Sequence, residues 1–150
     1  MTKEKQMLFD VCSKQLKDKI KSVHDAIALQ QESTKGDTKS SAGDKYETGT
    51  AMTHLELEKL GNQLQGLETN LRKLNAFEDL KPTPTVQAGS LVKTKLNSFW
   101  ISIGVGQVAV EHQNYFVVSP ISPIAQQFLG KEAGFEFIFN KQKDCILEVL

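Results

Sequence analysis

The sequence predicts an α+β chain, a helical hairpin followed by a small sheet, and three observations carry that prediction. Residues 1–81 hold 13 basic and 13 acidic side chains and no proline, whereas 82–150 hold 5 of each, all four prolines and eight of the eleven aromatics. Leu57, Leu60, Leu64, Leu67, Leu71 and Leu74 alternate spacings of three and four, the heptad seam of a coiled coil. Beyond residue 88 the apolar residues instead come in short β-branched or aromatic runs divided by Gly, Asn and Pro, the pattern of strands.

The first helix is marked by Phe9, Cys12, Leu16, Ile20, Val23 and Ile27, which form one stripe from roughly Lys3 to Ser33. Between Glu32 and Tyr46 there is no large apolar residue and there are two glycines, so the chain must turn. The two stripes then face each other in an antiparallel hairpin with arms of about 30 residues, or about 45 Å at the helical rise. Charge supports the pairing: Lys3–Asp25 has six Lys against four acids, and Glu47–Asp79 has six acids against Lys59, Arg72 and Lys73. Lys81-Pro-Thr-Pro-Thr85 reads as a stiff linker, because each proline fixes its own φ and pushes its predecessor out of helix; the second helix should stop at about Leu80. The expected organisation is a coiled-coil hairpin over 1–80 with its tip at about 33–46, a linker at 81–85 and a β domain over 86–150.

In that domain the expected strands are Gly89–Lys95, Ser98–Gly104, Gln107–Val110, Tyr115–Val118, Gly134–Phe139 and Cys145–Leu150, forming a small antiparallel sheet. Pro123–Gly130 suits one short helix, with Ser122 as N-cap, Pro123 at the first helical position and Gly130 as stop. Some 65 residues make a marginal core, so this helix should lie across the sheet and supply Phe128 and Leu129. Phe99 and Trp100, on alternate faces, read as core and surface neighbours.

Composition and motifs exclude several function classes. Eighteen basic against eighteen acidic residues give no excess positive charge with which to bind polyanions generally. No apolar run reaches membrane-spanning length, and the charged start Met1-Thr-Lys-Glu-Lys5 lacks the apolar core of a signal peptide, so a cytoplasmic protein is expected. Cys12 and Cys145 have no metal-ligand spacing and read as buried thiols. His24, His54 and His112 are scattered, without a zinc-hydrolase or nucleophile-elbow motif. The tip glycines Gly36 and Gly43 lack a P-loop ending, and Lys39 and Ala42 break an EF-hand reading from Asp37. No self-sufficient catalytic constellation remains, so the chain is not expected to be an enzyme.

The tip gathers Glu32, Asp37, Asp44 and Glu47. Local chemistry accounts for much of this: Asp44-Lys-Tyr-Glu47 has the spacing of a capping box, and Asp37 after Gly36 is an ordinary turn residue. A long arm holding acids at its end also suits delivery into a deep, narrow site.

Val118-Ser-Pro-Ile-Ser-Pro-Ile-Ala-Gln-Gln-Phe-Leu-Gly-Lys-Glu-Ala-Gly134 resembles the C-terminal signature of the Gre transcript-cleavage factors of bacterial RNA polymerase. Gly89-Ser-Leu-Val92 resembles the opening of the same domain, and Gly36-Asp37 followed by Tyr46 is similar to the family's hairpin tip. The resemblance covers nearly the whole chain in order. It implies a C-terminal domain of FK506-binding-protein-like fold (FKBP-like) that docks on the rim of the polymerase secondary channel through Ser119, Ser122 and Pro123. It implies, too, a hairpin that enters the channel and brings Asp37, Asp44 and Glu47 to the polymerase Mg²⁺ near the RNA 3′ end. The chain itself would hold no cofactor and no stably bound metal. Tip carboxylates that help place a second Mg²⁺ and a water fit two-metal phosphodiester hydrolysis, with the polymerase as the catalyst.

The tip departs from the family pattern, with Ser40 where the first Glu of the motif stands and two extra residues before Tyr46. Asp37 carries over by position, Asp44 and Glu47 by chemistry. Phe135 replaces the usual Asp after Gly134. The family includes both cleavage stimulators and channel-occupying regulators, and both readings stand. Two further readings are a coiled-coil adaptor that dimerises and grips a peptide, and a peptidyl-prolyl isomerase, the weaker because fold does not confer activity. An intramolecular hairpin predicts a monomer, a paired coiled coil a dimer.

Overall fold

The structure, a computed structural model, describes residues 2–37 and 43–150, with side chains for 2–32 and 49–150. The order of elements is α1 (Lys3–Asp37), α2 (Gly43–Asn75), β1 (Leu91–Thr94), β2 (Ser98–Ile101), β3 (Gly106–Val110), β4 (Gln113–Val118), α3 (Pro123–Phe128), β5 (Glu136–Phe139) and β6 (Gln142–Val149). The chain divides into two compact units: Lys14–Leu71, and Met1–Ser13 together with Arg72–Leu150. The composition step at Pro82 therefore does not coincide with the edge of a unit, because both root segments of the helical hairpin belong with the sheet.

The helical unit follows its apolar periodicity. Leu16, Val23 and Leu60 are buried, and Ile20, Ile27, Leu57, Leu64, Leu67 and Leu71 are half-buried, so the two expected stripes are the inward ones. Because the start of α1 and the end of α2 both lie in the other unit, the two helices run antiparallel as a hairpin.

Three helix boundaries differ from the sequence expectation. α1 runs on to Asp37, four residues past Ser33, so Asp37 ends a helix and is not a turn residue. α2 begins at Gly43, so Asp44 stands inside its first turn and is not the N-cap. α2 also ends at Asn75, five residues before Leu80; single-turn bonds Phe77 N–H to Leu74 C=O (3.0 Å) and Glu78 N–H to Asn75 C=O (3.2 Å) follow. Packing, not Pro82, ends the helix. Phe77 and Leu80 turn onto Gly89, where a Cβ would lie 3.2 Å from Phe77 Cδ1 and 2.6 Å from Leu80 Cδ1. Gly89 also has φ +95°, a conformation a side chain would strain.

The six-stranded sheet has the order β3-β4-β2-β1-β6-β5 and is mixed, which corrects the antiparallel expectation. β2 and β4 run parallel, with Phe99 beside Phe116, Trp100 beside Val117 and Ile101 beside Val118. The cause is topological: the chain leaves β2 through residues 102–105, skips one position to form β3, and returns as β4 into the gap. Strand runs and turn residues are local signals, whereas this insertion is not.

Both faces of the central strands are covered, and that corrects the reading of Phe99 and Trp100. Phe99 is fully buried on one face with Val92, Ile101, Ile146, Phe137 and the underside of α3, Ile124, Ala125 and Phe128. Its ring centroid lies 5.4 Å from those of Phe116 and Phe128. As expected, α3 supplies Phe128 to the core, with Leu129 packed at its border. Trp100 is 1% exposed on the opposite face, with Leu91, Val117, Tyr115 and Val108 buried beside it in the strand registers. Its Nε1–H donates to the Gly89 carbonyl at 3.3 Å. The first turn of α1 lies against this face, since Glu4 bonds Lys93 and Tyr115, and Leu8 and Leu74 are fully buried in the same unit. Strands covered on both sides lose the simple in–out alternation. Cys12 is buried as expected; Cys145 is only half-buried, which corrects the second thiol. Among the described residues, no helix is long and apolar enough to cross a membrane.

Candidate functional site

The segment that leads into α3 is built largely from its own hydrogen bonds. Ser122 is the N-cap, with φ −65° and ψ 149°, and its Oγ accepts from Ala125 N–H at 3.3 Å while donating to the Ser119 carbonyl at 2.7 Å. The Ser122 N–H donates to the same carbonyl at 3.0 Å. Gln126 Nε2 reaches back to the Pro120 carbonyl at 2.7 Å, and Pro123 occupies the first turn, where its missing N–H costs nothing. At the other end Leu129 N–H returns to Ala125 C=O and Gly130, at φ +80°, lets the chain leave the helix. Val86, after the linker, exchanges bonds with this end: Gly130 N–H to Val86 C=O and Val86 N–H to Lys131 C=O, both at 2.8 Å.

The result is a fixed loop between two prolines that displays one apolar side chain. Ile121 is 85% exposed, the highest among the large hydrophobic residues described. Of the three residues singled out in the sequence, Pro123 is exposed, but Ser119 and Ser122 are half-buried and serve the loop through the Ser119 carbonyl and the Ser122 hydroxyl. Ile121 itself is the surface feature that sequence reasoning missed. A signal was present: Ile121 precedes the N-cap, where an apolar residue ordinarily packs on the fourth helical position, and that position here is the amide Gln126.

The second part of the candidate site is the hairpin tip. The backbone puts Asp37 at the last residue of α1 and Asp44 one residue inside α2, with residues 38–42 between the helices. Six Cα steps of about 3.6 Å keep Asp37 and Gly43 within about 22 Å of each other. Asp44 and Glu47, three apart on α2, share a helix face. The side chains of Asp37, Asp44 and Glu47 lie outside the described residues; Glu32, the last described acid before them, is exposed.

The titratable groups of the other described residues stand apart from one another or are paired within the fold. His24, His54 and His112 are exposed and separate, and no group of three or more His, Cys, Asp or Glu suited to a metal ion occurs among the described residues. Cys12 is 1% exposed, and burial pushes its thiol up to about 11, away from the thiolate form that a nucleophile needs. Lys5 lies on the buried stripe of α1 at 3% exposure, and burial lowers its pKa. Two further groups carry no signal in the sequence: Asp144, a buried carboxylate that ties the β1–β2 turn, and Glu4, which contacts Lys93 and Tyr115. Both need partners more than 40 positions away.

No family model, no curated protein and no solved structure matches this chain.

Proposed function

We propose that the chain is an accessory factor of Gre type for a multisubunit RNA polymerase, docking through its β domain and presenting the acidic hairpin tip to the polymerase active site. The observation that carries this reading is the loop Ser119–Ser122 together with α3. The segment with the specific resemblance is the one that fixes an exposed apolar residue, Ile121, on a rigid support. A pre-ordered aliphatic side chain is suited to fill a pocket on a protein partner, because little freedom is lost on binding.

The hairpin supplies the other half. α1 and α2 are 35 and 33 residues long, or about 50 Å each at the helical rise, and the sequence puts Asp37, Asp44 and Glu47 around their connection. In this reading Asp37, with Asp44 or Glu47, helps hold a second Mg²⁺ at the polymerase active site and orients a water for hydrolysis of backtracked RNA. An FKBP-like arrangement of the β domain belongs to the same proposal, supported by the signature alone.

The test has two stages. Purified protein should bind core RNA polymerase at low salt; no binding overturns the reading altogether. Bound protein should then accelerate RNA shortening in backtracked complexes, with Asp37→Asn abolishing the effect at unchanged helix content. Binding without shortened transcripts replaces the cleavage role with that of a channel-occupying regulator.

A further inference from the structure

The two edges of the sheet, β3 and β5, are finished differently. Each closes on its neighbour through a two-residue turn of left-handed residues: Glu111 and His112 with φ 47° and 68°, and Asn140 and Lys141 with φ 50° and 65°. This is type I′ geometry, in which the residues flanking the turn exchange both hydrogen bonds and every second pair beyond them does the same. On β5, Phe137 and Phe139 therefore bond to β6, while the main-chain groups of Glu136 and Ile138 face outward. That edge is defended. Gln127 Nε2 donates to the Ile138 carbonyl at 3.2 Å, and Glu136 puts a charge on the strand.

On β3 the same rule directs Gly106, Val108 and Val110 toward β4 and leaves the N–H and C=O of Gln107 and Ala109 pointing away from the sheet. Among the described residues, nothing hydrogen-bonds to these outward groups. The strand is irregular only at its start, where Val105 and Gly106 (φ 96°) both oppose Val117; from Gly106 to Val110 it carries no charge and no proline, and its register with β4 is unbroken by a bulge. Those are the devices by which sheet edges are ordinarily blunted.

We propose that this edge pairs with the β3 edge of a second copy of the chain, antiparallel about a two-fold axis through Val108. The spacing sets the register. Two outward-facing residues two positions apart pair Gln107 with Ala109 of the second copy, and the reverse, giving four main-chain hydrogen bonds with the two Val108 residues opposed at the centre. The exposed side chains then meet long against short, Gln107 across Ala109, twice. Beyond these two pairs the edge ends, since Glu111 lies in the turn and the Val105 N–H is taken by the Val117 and Ile103 carbonyls, so no like charges oppose. Five residues a side bury far less than the roughly 1,200 Å² of a stable pair. The association is therefore weak and concentration-dependent, and the helical hairpin remains intramolecular within each copy.

Sedimentation equilibrium up to about 1 mM tests this on the full chain. The wild type is expected to rise above monomer mass with concentration. The double variant Gln107→Lys/Ala109→Lys, which sets Lys against Lys twice, should associate at least about tenfold more weakly, and so should Gln107→Glu/Ala109→Glu. An equimolar mixture of the two should recover association, because each Lys then faces a Glu. Circular dichroism and Trp100 fluorescence check that each variant is folded. If the charged variants unfold, Ala109→Pro removes only the outward N–H and must weaken association by the same margin. A wild type that stays monomeric throughout, a Lys variant that associates like the wild type, or a mixture of folded variants that does not associate overturns the proposal.

Discussion

The Tyr115 hydroxyl donates to Glu4 Oε2 at 3.0 Å, joining β4 to the first turn of α1 across 111 positions of sequence. Lys93 Nζ takes the other oxygen, Oε1, at 2.5 Å, so one carboxylate holds the start of the helical hairpin to two strands. Burial, then the hydrogen bond and charge of Glu4, then the charge of Glu111, push the Tyr115 phenol up to about 12 from its ordinary 10.0. The folded state thus favours the protonated phenol. Its contribution to stability is full below pH 10, where both states hold the proton, and is lost as pH rises through 12. Glu4→Gln should lower the phenol pKa toward 10.0, read by ultraviolet titration of the phenolate. With the Glu4 and Lys93 side chains about one-third exposed, a double-mutant cycle with Lys93→Met should give a coupling of only about 0.5–1 kcal/mol.

Asp144 supports a larger expected effect. It is 4% exposed and accepts from Thr94 Oγ1 at 2.6 Å, Cys145 N–H at 2.7 Å and Leu96 N–H at 3.2 Å, which fixes the turn between β1 and β2. Asp144→Ala takes the acceptor from the Cys145 and Leu96 N–H groups, while the Thr94 hydroxyl keeps the Asn97 carbonyl at 2.9 Å, and should cost about 2–3 kcal/mol in urea denaturation. Asp144→Asn, which keeps acceptor oxygen on one side only, should cost less.

These two carboxylates show where sequence reasoning stops. Leucine spacing placed the inward stripe of α2, and Ser122-Pro123 placed the start of α3, because such signals lie within one or two turns of chain. Glu4 and Asp144 carry no local signal of their roles because their partners are 111 and 50 positions away. The parallel pairing of β2 with β4 was hidden for the same reason. The end of α2 was misjudged because Pro82 is a strong local stop, while the packing of Phe77 and Leu80 on Gly89 acts earlier and over a longer range. At the candidate site the legible part was the loop's hydrogen-bonding residues; the exposed Ile121 required noticing an apolar side chain with no partner one turn ahead.

Gly61 and Gly66 lie inside α2, and a Cβ at either position would meet nothing within 4 Å. Each removes helix propensity without a packing return in the folded chain. Gly61→Ala and Gly66→Ala should each stabilise by up to about 1 kcal/mol, additively, and raise the midpoint of thermal unfolding followed by circular dichroism. A loss of polymerase binding on either change, with stability increased, would mark close approach of a partner to this helix face.

The two thiols should separate cleanly under alkylation. Cys145 is half-buried, whereas Cys12 is 1% exposed with its thiol pushed up to about 11 by burial. In native protein near pH 8 a small thiol reagent should modify Cys145 first, and Cys12 only as fast as the chain opens. Peptide mapping by mass spectrometry reads this directly. Equal rates at both positions would mean that the packing around Leu8, Cys12 and Leu74 is looser than their burial indicates.

Adjacent residues in the loop before α3 should give opposite signatures. Ser122→Ala removes the hydroxyl that accepts from Ala125 N–H and donates to the Ser119 carbonyl, and should cost about 1 kcal/mol of stability. Ile121→Asp touches no internal contact of comparable weight, since Ile121 is 85% exposed, and should leave unfolding within about 0.5 kcal/mol of wild type. If Ile121 anchors the β domain on RNA polymerase, the same change should weaken binding at least about tenfold, while a conservative Ile121→Leu retains most of it. Binding measured by fluorescence anisotropy at fixed salt, beside urea melts of all three variants, distinguishes a docking residue from a structural one. An Ile121→Asp protein that binds polymerase like the wild type removes this loop from the interface.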